Sequence, residues 1–248
     1  MLRLRLVLLS FLALFQAELV TGAELTVDDI ITRNTEAMGG RKSIEAVRAV
    51  EVSLHVSNPE FEVDGVYRAA RPGRMRIDIT AGGKHVFTEA FDGEKGWQWQ
   101  DGKGQKETGA TPTAALRHGV ELPGNLFGLH ELGQRGHRVA LTGREKIDGV
   151  EYYALHVTLA DGYETSLFVD PQTWRITRRR DVRALHPDID PTPTTIEVRK
   201  SDFRQIAGVW FAFKSEDVDL KTGKVIENTR VQEIKVNPPI DTAIFSKL

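Results

Sequence analysis

Five arginines crowd one short stretch, at 175, 178, 179, 180 and 183, and seven histidines are spread over positions 55, 85, 118, 130, 137, 156 and 186. Guanidinium forks suit acidic headgroups, and imidazoles suit metals or proton transfer. The histidines form no HExxH or comparable metal spacing, and no G-x-S-x-G nucleophile elbow is present. His186, Asp188 and Asp190 have donor types that chelate a metal, but they sit in ALHPDIDPTPT, residues 184–194, which reads as a long solvated surface loop. The string GGRKS lacks the glycine spacing of a phosphate loop and follows a helix pattern rather than a strand. With no cysteine, thiol catalysis, disulfides and cysteine-ligated metal are excluded, as is lipidation of a new N-terminus. The sequence assigns no catalytic residue, no metal and no cofactor. Triads assemble from distant positions, so a hydrolase invisible to motif search stays an alternative.

A different chemistry is offered by FDGEKGWQWQDGKGQ, residues 91–105. In an extended strand Trp97 and Trp99 share a face, between two glycine-bearing turns. Two large rings side by side form either core or the wall of an apolar cavity, and before a ligand arrives these are the same surface.

The elements that must position these residues follow from periodicity. Thr26-Val27-Asp28-Asp29 is a capped helix start, Val27, Ile30, Ile31 and Met38 form a helical stripe, and Gly39-Gly40 ends it. A second short helix is expected over Lys42–Val47. From Val50 the period becomes two: Val50, Val52, Leu54 and Val56, then Met75, Ile77 and Ile79. Similar runs follow near 87–91, 139–141, 153–159, 165–169, 174–176, 196–198, 209–213 and 231–236, separated by Pro-Gly, Gly-Gly, Asp-Gly and Asp-Pro turns. That is an antiparallel meander with one apolar face. Between Thr111 and Gly136 the pattern breaks into short helices, with Pro112 at the helix entry and Leu122, Leu126, Phe127, Leu129 and Leu132 after it. A long one-sided sheet with few helices curls and takes those helices across its mouth.

The chain has 248 residues, 40% hydrophobic and 27% charged, with a net charge of −2. Arg3 and Arg5 ahead of LVLLSFLALF, with Thr21-Gly22-Ala23 before Glu24, mark residues 1–23 as a secretory signal peptide. Its removal takes away Arg3, Arg5 and Glu18 and leaves a net charge of −3. Such a balance gives no support for nucleic-acid binding. No other segment is long and apolar enough to cross a bilayer, so residues 24–248 are expected as one soluble periplasmic domain.

The run GVYRAARPGRMR, residues 65–76, followed by FDGEKGWQW at 91–99, resembles the periplasmic lipoprotein carriers of the outer-membrane lipoprotein-sorting group (LolA/LolB-like). Asn237-Pro238-Pro239 is similar in order as well. The resemblance implies a mainly β (α+β) fold: an incomplete antiparallel β-barrel, a curled sheet closed by an N-terminal helix and a short-helix lid. It implies acyl chains held in an apolar cavity without catalysis, and it matches Arg71 to an arginine that latches the lid. Gly73, Arg74 and Arg76 make this turn more basic than the carriers' own, and the 184–194 insert departs from them.

Trp97, Trp99, Phe91, Leu126, Phe127, Leu129, Ile30 and Ile31 are therefore expected at the ligand, and Arg71 at the lid. Arg178 and Arg180, sharing the parity of Trp174 and Ile176, are expected at an acidic headgroup. The partner is an acylated lipoprotein or a free lipid. The alternative is an envelope sensor of the same fold that binds a membrane-anchored partner protein through an open sheet edge.

Overall fold

The structure, a computed structural model, describes residues 24–183 and 192–246. The expected leader and most of the 184–194 insert, with His186, Asp188 and Asp190, lie outside the described residues.

Thr26 closes a capping box: its hydroxyl accepts from Asp29 N at 3.2 Å while its own N–H donates to the Asp29 carboxylate at 2.8 Å. These bonds satisfy free donors at the start of α1 (Val27–Ala37). The helix stops where Gly39 takes φ +119 against the neighbouring chain; a Cβ there would lie 2.0 Å from the Gly208 carbonyl oxygen. Only glycine permits that approach. Helix α2 (Arg41–Glu45) begins one residue earlier and ends two earlier than the pattern suggests. Asn237 explains the early end. Its side chain donates to Ala46 O at 2.9 Å and accepts from Arg48 N at 2.7 Å, drawing the chain off into a strand.

The strands are β1 (Ala49–Ser57), β2 (Glu62–Ala70), β3 (Arg74–Ala81), β4 (Lys84–Phe91), β5 (Gly96–Gln100) and β6 (Gly104–Glu107), followed by α3 (Ala110–Glu121) and α4 (Glu131–Gln134). Then come β7 (Arg138–Ile147), β8 (Val150–Thr158), β9 (Glu164–Val169), β10 (Ile176–Arg183), β11 (Thr194–Ile206), β12 (Val209–Asp219) and β13 (Lys224–Val236), with a last 3-10 turn at Thr242–Phe245. The alternation over 174–176 predicts a strand, but Trp174 sits at φ +57 in the turn before β10.

All neighbours pair antiparallel in one 13-stranded open sheet, ordered β6-β5-β4-β3-β2-β1-β13-β12-β11-β10-β9-β8-β7. The chain thus starts mid-sheet, winds out to the β6 edge, crosses to the β7 edge, and returns to pair β13 with β1. The crossing is made by residues 108–137, so the topology itself lays α3 and α4 across the concave side. Pro112 is the third residue of α3, where its missing N–H still costs nothing because the first turn leaves its donors free.

Directly paired residues share a face, so the register fixes what each strand presents. Val52 pairs with Tyr67, Tyr67 with Ile77, and Val52 with Ile234 on the other side; all face inward. Val50, Val52, Leu54, Met75, Phe91, Phe127, Phe211 and Phe213 form one buried cluster there, and Ile30, Leu129, Leu155, Leu167 and Val169 a second one under α1. The outer face is mostly polar, with Arg68 bound to Glu51 at 2.8 Å and to Asp78 at 3.0 Å. It also carries two small apolar clusters. In one of them Phe245 is fully buried on Ala49 and Ala70, worth roughly 1.5–3 kcal/mol.

Candidate functional site

A cavity of about 320 Å³ opens between the inner face and the lid. Val52 and Leu54 from β1, Tyr67 from β2, Val209 and Phe211 from β12 and Val231 from β13 form its apolar floor, and Phe127 and Leu129 its roof. Alternation explains the floor: β1 places every second residue inward, and those residues are valine and leucine.

The lid is held from two sides. Just past β2, Arg71 donates from Nε to Val47 O at 2.8 Å and from Nη2 to Leu126 O at 3.0 Å and Ile44 O at 3.4 Å. The same guanidinium grips Glu131 of α4 with two bonds, at 2.5 and 3.1 Å, and lies 4.6 Å from the Phe127 ring centre. Burial pushes the Glu131 carboxyl up, but the Arg71 bonds and the Gly128 N–H outweigh burial and hold it low. On the far side, His118 of α3 stacks on Tyr163 at 4.0 Å, and its Nε2 lies 2.7 Å from the Asp161 carboxylate in the β8–β9 turn. Arg117 adds a bond to the same carboxylate at 2.6 Å. Burial opposes ionisation of Asp161, yet these partners hold its pKa at about 2. At its start α3 rests on Gly96, where a Cβ would come within 2.8 Å of Thr113 Oγ1 in the helix and 2.2 Å of Thr108 Oγ1 just before it.

Of the residues singled out from the sequence, Phe127 and Leu129 line the cavity. Phe91 is buried in the inner core beside it, and Leu126 is buried with its carbonyl on Arg71. Ile30 is fully buried in the core under α1, and Ile31 packs against that core; neither reaches the cavity.

Trp97 and Trp99 do share a face, but it is the outer one. Trp99 pairs with Thr88 and Trp97 with Ala90, whereas the inward residues of β4 are Phe87, Glu89 and Phe91. Trp99 instead stacks on His85 at 4.4 Å, in a shallow hollow with Arg76, Thr88 and Ile244. The parity within the WQW run holds. Which face it points to depends on the partner strand.

The arginine stretch is corrected in the same way. Ile176 pairs with Val169 but Arg178 pairs with Phe168, so a bulge at Thr177 reverses the alternation. Arg178 and Arg180 therefore point outward. They share the buried Glu197 at 2.6 and 2.7 Å, Arg178 adds Asp148 at 2.8 Å, and Arg180 adds Glu145. Arg179 takes the inward place and lines the cavity. Lys200 joins it there, a residue that motif and cluster reasoning passes over. Its signal is present: Ile196, Val198 and Lys200 alternate, so the lysine falls on the apolar face. Among the described residues no group of three or more acidic, histidine or cysteine side chains is placed to hold a metal ion.

No family model matches this chain, and no curated protein sequence does. Solved structures do. A LolA superfamily protein from Nitrosomonas europaea, 17% identical, superposes with a TM-score of 0.56 over 90% of this chain and 98% of its own. A DUF1329 family protein from Desulfovibrio piger, 12% identical, gives 0.57 over 90% and 98%. A putative outer membrane lipoprotein-sorting protein domain from Vibrio parahaemolyticus, 12% identical, gives 0.54 over 88% and 94%. At such identities the likeness is one of fold: the chain has a LolA-like fold.

Proposed function

We propose that this protein is a periplasmic carrier that holds the acyl chains of a lipid or lipoprotein in the cavity beneath its lid, without catalysis, on the way to the outer membrane. The observation that carries the reading is an apolar cavity roofed by Phe127 and Leu129 whose lid is tied to the sheet by Arg71. Burying a chain there is worth about 0.8 kcal/mol per methylene, enough to hold cargo until an acceptor offers an equally apolar site. The Arg71 bonds to the lid are lost when it opens and regained when it shuts, which makes Arg71 a reversible latch. Residues 1–23 serve as the export signal and residues 24–248 as one carrier domain. No helix among the described residues is long and apolar enough to cross a membrane. A LolA-like fold adds support at the level of architecture.

The test is native mass spectrometry of protein purified from a periplasm, with organic extraction of whatever is bound. A stoichiometric acylated species supports carriage and identifies the cargo class. A clean mass that persists after incubation with lipids and acylated peptides overturns it and favours a partner-binding sensor. That second reading rests on the two open ends of the sheet, β6 and β7, which are positioned to accept a strand from another protein.

A further inference from the structure

The cavity is not apolar all round. Lys200 pairs with Ser215, and Ser215 with Thr229, so these three stand in one inward row across β11, β12 and β13 and all line the cavity. The next row out is Arg179, Val198, Asp217 and Glu227. Most charges in it are matched. Arg179 Nε lies 2.7 Å from Asp181, which also accepts from the hydroxyls of Tyr163 at 2.9 Å and Thr165 at 2.6 Å. Arg183 is bound to Asp217 at 3.0 Å.

Lys200 differs. Its ammonium makes no hydrogen bond or ion pair among the described residues, and it sits directly under the lid, 3.8 Å from where a Cβ on Gly124 would be. Burial pushes its pKa down to about 8, Arg179 adds to the effect, and Asp181 and Asp217 work against it. Burial also pushes the Asp217 and Glu227 carboxyls up, which weakens the anionic side of the cluster. Lys200 is half-buried, and its ammonium, left without a protein partner at a largely apolar cavity, has its bonding capacity free for an anion that enters. Facing it are the apolar residues Val52, Leu54, Phe127 and Val231.

We propose that the cargo is a single-chain amphiphile with an acidic headgroup, the chain lying on Val52, Leu54, Phe127 and Val231 and the acid held by Lys200 beside Arg179. This rests on the lipid-carrier reading and narrows it. One chain is favoured because about 320 Å³ is near the lower end of the ~300–1,000 Å³ typical of ligand pockets. Carboxylate and phosphate both offer the anion that this cation would meet, so both are probed against a neutral twin.

The experiment measures binding of palmitate, hexadecyl phosphate, hexadecanol and inorganic phosphate to wild type, Lys200→Met and Lys200→Arg by calorimetry, with melting curves to show that each variant folds. Both acids are expected to bind wild type about tenfold tighter than hexadecanol, about 1.4 kcal/mol. In Lys200→Met the acids should bind no tighter than hexadecanol does to the same variant, and Lys200→Arg should retain the preference. The better of the two acids identifies the headgroup. Equal binding of acids and alcohol to wild type overturns the headgroup assignment and leaves the carrier reading standing. Binding of none of the three chains overturns both. Inorganic phosphate binding as tightly as hexadecyl phosphate overturns the amphiphile in favour of a free-anion site. The wild-type comparison decides the matter even if a variant fails to fold.

Discussion

Arg71, just past β2, divides its guanidinium between both oxygens of a buried carboxylate and three backbone carbonyls, whereas Lys200, on β11, faces the cavity with no bonded partner among the described residues. Both are cations under the same lid. A cation with all three nitrogens bonded holds a structure together, because its removal strands the groups it satisfied. One with none used contributes little to the fold and has capacity left for a ligand. The contrast separates the holding of the lid from the holding of cargo, and it can be broken at either end.

The largest effect is expected from Arg71→Met. It leaves Glu131 buried and unpaired and should lower unfolding free energy by about 3–5 kcal/mol, read from a urea midpoint at unchanged slope. Arg71→Lys should recover less than half of the loss, since an ammonium cannot reach Val47, Leu126 and Glu131 together. A loss below about 1 kcal/mol for Arg71→Met would remove the latch from the account.

The contrast sharpens with pH, because the two sites respond at opposite ends of the scale. Glu131 is depressed in the folded state, so its contribution is present above its unfolded value of 4.5 and is lost as pH falls below it. Lys200 is also depressed, but as a base. Between about 8 and its unfolded 10.5 the unfolded chain binds the extra proton, so stability rises with pH there. Subtracting the curve of Lys200→Met from wild type should isolate that rise; a flat difference would mean the ammonium is well solvated. The facing groups Arg179, Arg183, Asp181, Asp217 and Glu227 are common to both proteins and cancel. Acid affinity in wild type should fall over the same alkaline window.

A smaller effect belongs to the far side of the lid. Asp161 is held at about 2, so its hold on His118 and Arg117 is present above 3.8 and fades as pH drops toward 2. Asp161→Asn should cost about 1–2 kcal/mol at neutral pH and remove that acid-side slope, followed by thermal melting. The smallest effect should come from the outer face. Trp99→Ser, and Arg178→Gln with Arg180→Gln, should leave palmitate affinity within about twofold, since about 1.4 kcal/mol is a factor of ten and none of these residues touches the cavity. A tenfold loss in either would return the ligand to the outer surface.

Much of the architecture was legible in order along the chain. Thr26 and Asp29 announce the first helix, Gly39 its end, and Val50 through Val56 the first strand, because capping and alternation act over a few residues. Leu122 to Leu132 could be seen to interrupt the meander, though not to bridge its two edges. That role follows from the jump from β6 to β7, a fact of strand order.

The site was legible only in its parts. The sequence by itself determined that Trp97 and Trp99 stand together, that Arg71 precedes a proline turn, and that arginines crowd β10, because period-two geometry relates neighbours within one unbroken strand. Tertiary structure alone decided which way each pair looks. Pairing with Thr88 and Ala90 turns the tryptophans outward, and one extra residue at Thr177 exchanges Arg178 and Arg180 for Arg179 on the inner face. The same is true of Lys200: its place on an apolar face is written in Ile196-x-Val198-x-Lys200, but its lack of a partner depends on what three other strands and the lid bring near it.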